Sequence, residues 1–245
     1  MQNETRTALI TGASAGLGTE FARQLAARGY NLVLVARNAE RLQALAGELA
    51  AEHGVEAEYV ASDLSRVDAP QALFDETRRR GLHIDYLVNN AGVAGPNLLE
   101  PGDWQEHRDF YQLMMLSIAE LCHLYIPPMR ERGFGRVINV ASMAGRAARS
   151  GGCNYGPAKA WVIALSEELA LTVADDGVLV SALCPGFTHT EFHERAGLMD
   201  MKNGMPKFIW YDAEVVVREG LAAVERGKKI YPSGRLYRFL DPLFQ

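Results

Sequence analysis

Tyr155 and Lys159 stand four residues apart in Tyr155-Gly156-Pro157-Ala158-Lys159, and Ser142 precedes the tyrosine by thirteen positions. Residues at i and i+4 share one face of a helix. Pro157 is accommodated only in a first helical turn, which puts Tyr155 at a helix start. A free phenol ionises near pH ~10, too high for a base at neutrality. A cation about 4 Å away contributes ~4 kcal/mol at an effective dielectric of ~20, enough to bring a phenol to about 7 if it outweighs desolvation. Such a group can protonate a carbonyl oxygen while its carbon receives hydride, or take the proton of an alcohol that sheds one. A serine at a strand end, as Ser142 would be, can hold that oxygen and support its developing charge. The plainer alternative is a surface pair that only packs its stems.

Hydride chemistry needs a carrier, and the N-terminus offers a place for one. An apolar run at 7–10 leads into Thr11-Gly12-Ala13-Ser14-Ala15-Gly16-Leu17-Gly18, and a helical pattern follows. Gly12 permits the tight turn, Gly16 lets backbone N–H groups reach a pyrophosphate, and Gly18 lets helix and strand pack closely. The helix N-terminus then faces the anion. The second strand ends Val35-Ala36-Arg37-Asn38, without the acid that would hold a ribose 2′-hydroxyl. Arg37 in its place suits the 2′-phosphate of NADP(H), unless it is only a solvated residue at a helix start. Asp63 is placed to accept from an adenine amino group or to make a local turn.

The elements that must position these residues alternate along the whole chain. Nearly continuous apolar runs at 7–10, 31–36, 56–60, 86–89, 136–140, 178–183 and 229–231 read as parallel strands covered on both faces. Helical patterns at 17–28, 39–53, 69–80, 103–130, 155–174 and 213–226 lie between them, and Pro127-Pro128 predicts an end or kink near Ile126. The expected fold is α/β: one Rossmann-like domain over 1–245, doubly wound, with about seven parallel strands and helices on both faces. The cofactor half is expected at about 1–140 and the catalytic and substrate half at about 141–245. The stretch 187–211 lacks periodicity and contains Phe192, His193, Met199, Met201, Met205, Phe208 and Trp210. It reads as a lid over an apolar pocket or as a loop folded on its own side chains. His189 and His193 have no evident partner, and Trp104, Trp161 and Tyr111 fit core, interface or pocket.

Bulk properties narrow the class. A net charge of −5 argues against nucleic acid. Cys122, Cys153 and Cys184 are odd in number and widely spaced, which points to a reducing, cytoplasmic setting and to no metal cluster. No basic-then-apolar leader opens the sequence and no run of ~20 apolar residues spans a bilayer, so no membrane role is expected. The apolar tail LYRFLDPLFQ is expected to dock on the core or on another subunit.

Taken in order, TGASAGLG, Asn89-Asn90-Ala91-Gly92, Ser142, Tyr155 with Lys159, and Pro185-Gly186-Phe187-Thr188-His189-Thr190 resemble the short-chain dehydrogenase/reductases over nearly the whole chain. The resemblance implies a catalytic Ser142, Tyr155 and Lys159. It implies a cofactor site made by Gly12, Ser14, Ala15, Gly16, Leu17, Gly18, Arg37, Asp63, Leu64, Asn90, Ala91, Gly92, Tyr155, Lys159, Pro185, Gly186, Thr188 and Thr190. It also implies a small-molecule carbonyl or alcohol substrate, NADP(H), no metal, and a homodimer or homotetramer. One departure stands out. Where many members carry an asparagine that holds a water beside the lysine, this chain has Met114 and Met115. Either a backbone carbonyl or Ser117 keeps that relay, or proton delivery is impaired. The alternative to a reductase is therefore a catalytically impaired NADP(H)-binding sensor of the same fold, and a lyase or epimerase is a third reading.

Overall fold

The computed structural model describes residues 5–148, 150, 154–191 and 206–244. Seven parallel strands form one sheet in the order β3-β2-β1-β4-β5-β6-β9. They are β1 (Thr7–Thr11), β2 (Asn31–Ala36), β3 (Ala57–Ala61), β4 (Ile84–Asn89), β5 (Gly135–Val140), β6 (Val178–Cys184) and β9 (Ile230–Pro232). The seven expected runs are these strands, and the doubly wound reading holds. A two-residue ladder, β7 (Thr188–His189) with β8 (Tyr211–Asp212), was not expected. It pins together the two ends of the aperiodic stretch.

Alternation along β1 divides the core. Leu9 faces one layer with Leu73, Ile118, Leu121, Tyr125, Val162 and Ile163. Ala8 and Ile10 face the other with Phe21, Leu25, Leu42, Leu49, Val217 and Leu221. The first layer is α3 (Ala69–Arg79), α5 (Ser117–Glu131) and α6 (Tyr155–Thr172). The second is α1 (Gly16–Ala26), α2 (Ala39–His53) and α7 (Ala213–Glu225). Local chemistry sets the boundaries. Asn38 caps α2 by accepting from the Arg41 N–H, and Gly54 ends it in the left-handed region at φ +68°.

The expected single helix over 103–130 is instead α4 (Trp104–Tyr111), a five-residue π turn (Gln112–Leu116) and α5. The helix does not end near Ile126, since α5 continues through Pro127 and Pro128 to Glu131. Prolines there cost the carbonyls of His123 and Leu124 their donors. Burial of Tyr125, Ile126 and Met129 on the same face outweighs that loss. The tail forms α8 (Arg235–Leu240) and a 3-10 turn, and it docks on the core. Tyr237 accepts from the Phe187 N–H at 3.0 Å and donates to the Ile209 carbonyl at 2.9 Å. Among the described residues no helix is long and apolar enough to cross a membrane.

Candidate active site

β1 lies between β2 and β4, where chain connections depart to opposite sides of the sheet, and ligand crevices of open α/β sheets form at such a point. A cleft of about 1590 Å³ opens there. Drug-sized pockets run to about 1,000 Å³, so it has room for a dinucleotide with a substrate beside it. Every expected site residue except Gly18 lines it. Gly18 lies beneath, and a Cβ there would run into the Gly12 carbonyl.

The cradle fits a pyrophosphate. Gly12 and Gly16 hold φ +68° and +56°, which side-chain-bearing residues rarely adopt. Asn90 braces the turn from the end of β4 through its Nδ2, which donates to the Thr11 carbonyl at 2.9 Å. The start of α1 has no side-chain cap and no acid in its first turn, leaving its N–H groups for an anion. Thr190 crosses over Gly16. At the end of β2, Arg37 is exposed with no ion-pair partner among the described residues, whereas Arg41 meets Glu191 at 3.5 Å. Those groups fit a phosphate beyond the ribose. Asp63 makes the local turn, its Oδ1 accepting from the Ser65 N–H at 3.1 Å and the Ser65 hydroxyl at 2.7 Å.

At the other end of the cleft Ser142, Tyr155 and Lys159 converge. Ser142 follows β5 in extended backbone, and its Oγ accepts from the Ala144 N–H at 3.1 Å. Its hydroxyl also hydrogen-bonds the Tyr155 phenol. Lys159, 4% exposed, donates to the Val140 carbonyl at 2.7 Å, with Nζ 5.8 Å from the centre of the Tyr155 ring. Burial pushes the phenol up to about 12, against the lowering effect of Ser142. Burial also lowers Lys159 to about 8. The Val140 carbonyl holds the ammonium, and burial raises the phenol's pKa despite its bond to Ser142.

The relay position is apolar. Met114 is fully buried, its Sδ accepts from the Val93 N–H at 3.3 Å, and the Gly92 backbone packs on it. Ser117 donates its hydroxyl to the Leu113 carbonyl at 2.8 Å, so it does not reach Lys159. Met114, Phe110 and Ala158 form a small cluster on which Tyr155 itself rests.

Within the aperiodic stretch, Phe187 lines the cleft. Trp210 packs on Phe187 and stacks on His189 with ring centres 5.3 Å apart, while Phe208 is exposed. Phe192, His193, Met199, Met201, Met205 and Cys153 lie outside the described residues. Cys122 and Cys184 are buried free thiols, and no metal-binding group of side chains is found among the described residues. Trp104 is half exposed and Trp161 packs against the first core layer.

Sequence reading missed Arg146, Asp241, Asn154 and His107, and left Tyr111 unplaced. Arg146 lines the cleft and pairs bidentately with Asp241 of the tail, at 2.7 and 2.8 Å, tying the tail to the cleft wall. Asn154, His107 and Tyr111 bind one another beside Tyr155. The i, i+4 spacing of His107 and Tyr111 on α4 is the signal in the sequence that points to a shared face.

Comparisons with known proteins identify the family. The sequence model of the short chain dehydrogenases matches residues 6–200. The 3-oxoacyl-[acyl-carrier-protein] reductase FabG of Staphylococcus aureus is 34% identical over 184 residues, 75% of this chain and 74% of that protein. The FabG of Escherichia coli is 31% identical over 205 residues, 81% and 82% of the two chains. A short-chain dehydrogenase from Sphingobium yanoikuyae, solved in complex with NADPH, superposes with a TM-score of 0.86 at 32% identity, covering 97% of this chain and 92% of that one. With its sheet order, its glycine cradle and the match over residues 6–200, the chain belongs to the short-chain dehydrogenase family of oxidoreductases.

Proposed function

We propose that the chain is an NADP(H)-dependent oxidoreductase that interconverts a ketone or aldehyde with its alcohol, using Tyr155 as acid and base. The observation that carries this is one cleft holding Ser142, Tyr155 and Lys159 at one end, the cradle in the middle and Arg37 beyond it. The NADPH in the Sphingobium relative and the 3-oxoacyl reductases among the others support the cofactor and the reaction type.

Bound in the cleft, NADP(H) would supply or accept the hydride. This chain's residues do the rest. Arg37 would pair with the 2′-phosphate, Asp63 and Leu64 would meet the adenine, and Gly12, Ser14, Gly16 and Leu17 would hold the pyrophosphate. Ala15, Ala91, Gly92, Pro185, Gly186, Thr188 and Thr190 complete the channel. Ser142 holds the substrate oxygen, and Tyr155 gives it a proton in reduction. A phenol at about 12 stays protonated across neutral pH, which suits a donor. In oxidation the charge of Lys159 favours the phenolate. Val93, Pro96, Met114, Phe187 and Tyr237 give the substrate end an apolar wall. By resemblance to the family, we infer self-association through the long helices α5 and α6.

The test mixes the protein with NADPH and a panel of ketones and aldehydes and follows nicotinamide absorbance. Tyr155→Phe should abolish turnover with NADPH affinity within about twofold of wild type. Equal rates in the two proteins would overturn the acid/base role. Met114 at the relay position favours a second reading, an NADP(H) sensor, which tight NADPH binding without turnover of any carbonyl would support.

A further inference from the structure

Asn154 immediately precedes Tyr155 at the start of α6, where an asparagine ordinarily caps the helix. It makes no such cap. Its side chain, in a residue 2% exposed, turns instead to two other parts of the fold. Nδ2 lies 3.0 Å from the Pro96 carbonyl and 2.8 Å from His107 Nδ1, and Oδ1 lies 2.8 Å from the Tyr111 hydroxyl.

The hydrogen-bonding roles follow without ambiguity. The Pro96 carbonyl can only accept, so the amide nitrogen must face it. The same nitrogen faces His107 Nδ1, which therefore accepts. Tyr111 must then donate to Oδ1. Both amide N–H groups are committed, and three segments meet at one side chain: α4, the start of α6 and the 94–97 wall of the cleft. His107 is 4% exposed beneath the stacked ring of Trp104, 5.0 Å away. The wall is seated too, because Gly95 at φ +83° packs directly on the Phe110 ring.

We propose that Asn154, His107 and Tyr111 are positioning residues that set the direction of Tyr155 against the Pro96 wall. None of the three touches the reacting atoms. They act through the helix start that carries the phenol and through the loop that faces it. The inference rests on Tyr155 being the acid/base, and its test is chosen to separate the two.

His107→Leu removes the acceptor at similar bulk, and His107→Asn returns an acceptor near the Nδ1 position. Both are compared with wild type by NADPH affinity, by kcat and KM on the best carbonyl of the panel, and by NMR of isotopically labelled tyrosine rings, with Tyr155 identified by its loss in Tyr155→Phe. In His107→Leu the Tyr155 signal should move or broaden. Its kcat should fall about tenfold to a hundredfold, as small misplacements of a reacting group cause. KM and NADPH affinity should stay within about twofold, and His107→Asn should recover most of the loss. A folded His107→Leu protein with an unmoved Tyr155 signal overturns the proposal, as does a kcat loss that His107→Asn does not restore. If wild type turns over no carbonyl, the reductase reading fails, and the Tyr155 signal still decides the clamp. If His107→Leu does not fold, Tyr111→Phe deletes one hydrogen bond alone and should shift the signal in the same direction, and no shift overturns the proposal.

Discussion

Replacing Arg37 by alanine separates the two nicotinamide cofactors without any knowledge of the substrate. Its guanidinium stands exposed at the end of β2, with no carboxylate ion-paired to it among the described residues. A hydrogen bond to a charged group is worth about 1.5–3 kcal/mol. Exposure favours the lower half of that range, since a charge pair 4 Å apart falls from ~4 kcal/mol at a dielectric of ~20 to ~1 in bulk water. Taking ~2 kcal/mol, Arg37→Ala should weaken NADPH binding about thirtyfold. NADH, lacking the phosphate, should bind within about twofold of wild type. Arg41 gives an internal control. Glu191 already balances it at 3.5 Å, so Arg41→Ala should cost NADPH less than Arg37→Ala does. Titration by nicotinamide fluorescence at two salt concentrations reads all of this, and the NADPH preference should shrink as salt screens the exposed pair. Equal losses for NADPH and NADH, or none for either, would show that the 2′-phosphate is held elsewhere.

Lys159 makes a pH prediction about stability. Burial lowers it from 10.5 to about 8, so between those values the unfolded chain binds more protons than the folded one. Stability from this group therefore rises as pH climbs from 8 toward 10.5, by up to ~3 kcal/mol at 1.36 kcal/mol per pH unit, and Lys159→Met should lack that rise. Matching Tm-against-pH slopes in the two proteins would refute it. Asp241→Asn should leave Arg146, whose side chain is 11% exposed, without its bidentate partner. Breaking a buried pair costs about 3–5 kcal/mol, so calorimetry should show Tm lower by roughly 6 °C or more, and an unchanged Tm would show that the clip is not stabilising.

The sheet and the cradle were legible because both are written in local sequence. Continuous apolar runs such as Leu32 to Val35 fit only strands covered on both faces, and Gly12, Gly16 and Gly18 mark backbone that no other residue can follow. Ser142, Tyr155 and Lys159 were legible as types and spacing, but not their electrostatics. Spacing says nothing of the Val140 carbonyl that accepts from Lys159, or of the burial that raises the phenol's pKa. The π turn escaped because it changes a hydrogen-bond register without changing the apolar pattern of 103–130. Arg146 with Asp241, and Asn154 with His107, are long-range pairs that local spacing does not join.

The π turn and Met114 belong to one solution for a dry bed beneath the tyrosine. Ser117 donates back to the Leu113 carbonyl, and Met114 takes the Val93 N–H, so this stretch of helix meets polar needs without water. Tyr155 rests on the same cluster, and burial raises its pKa. Met114→Asn tests this directly. If the bed is meant to be dry, burying an amide there costs about 1–3 kcal/mol and lowers Tm, with no gain in carbonyl turnover. A Met114→Asn protein that reduced carbonyls faster than wild type would mean that a missing polar group at this position limits proton delivery, and that the apolar bed is an impairment rather than a design.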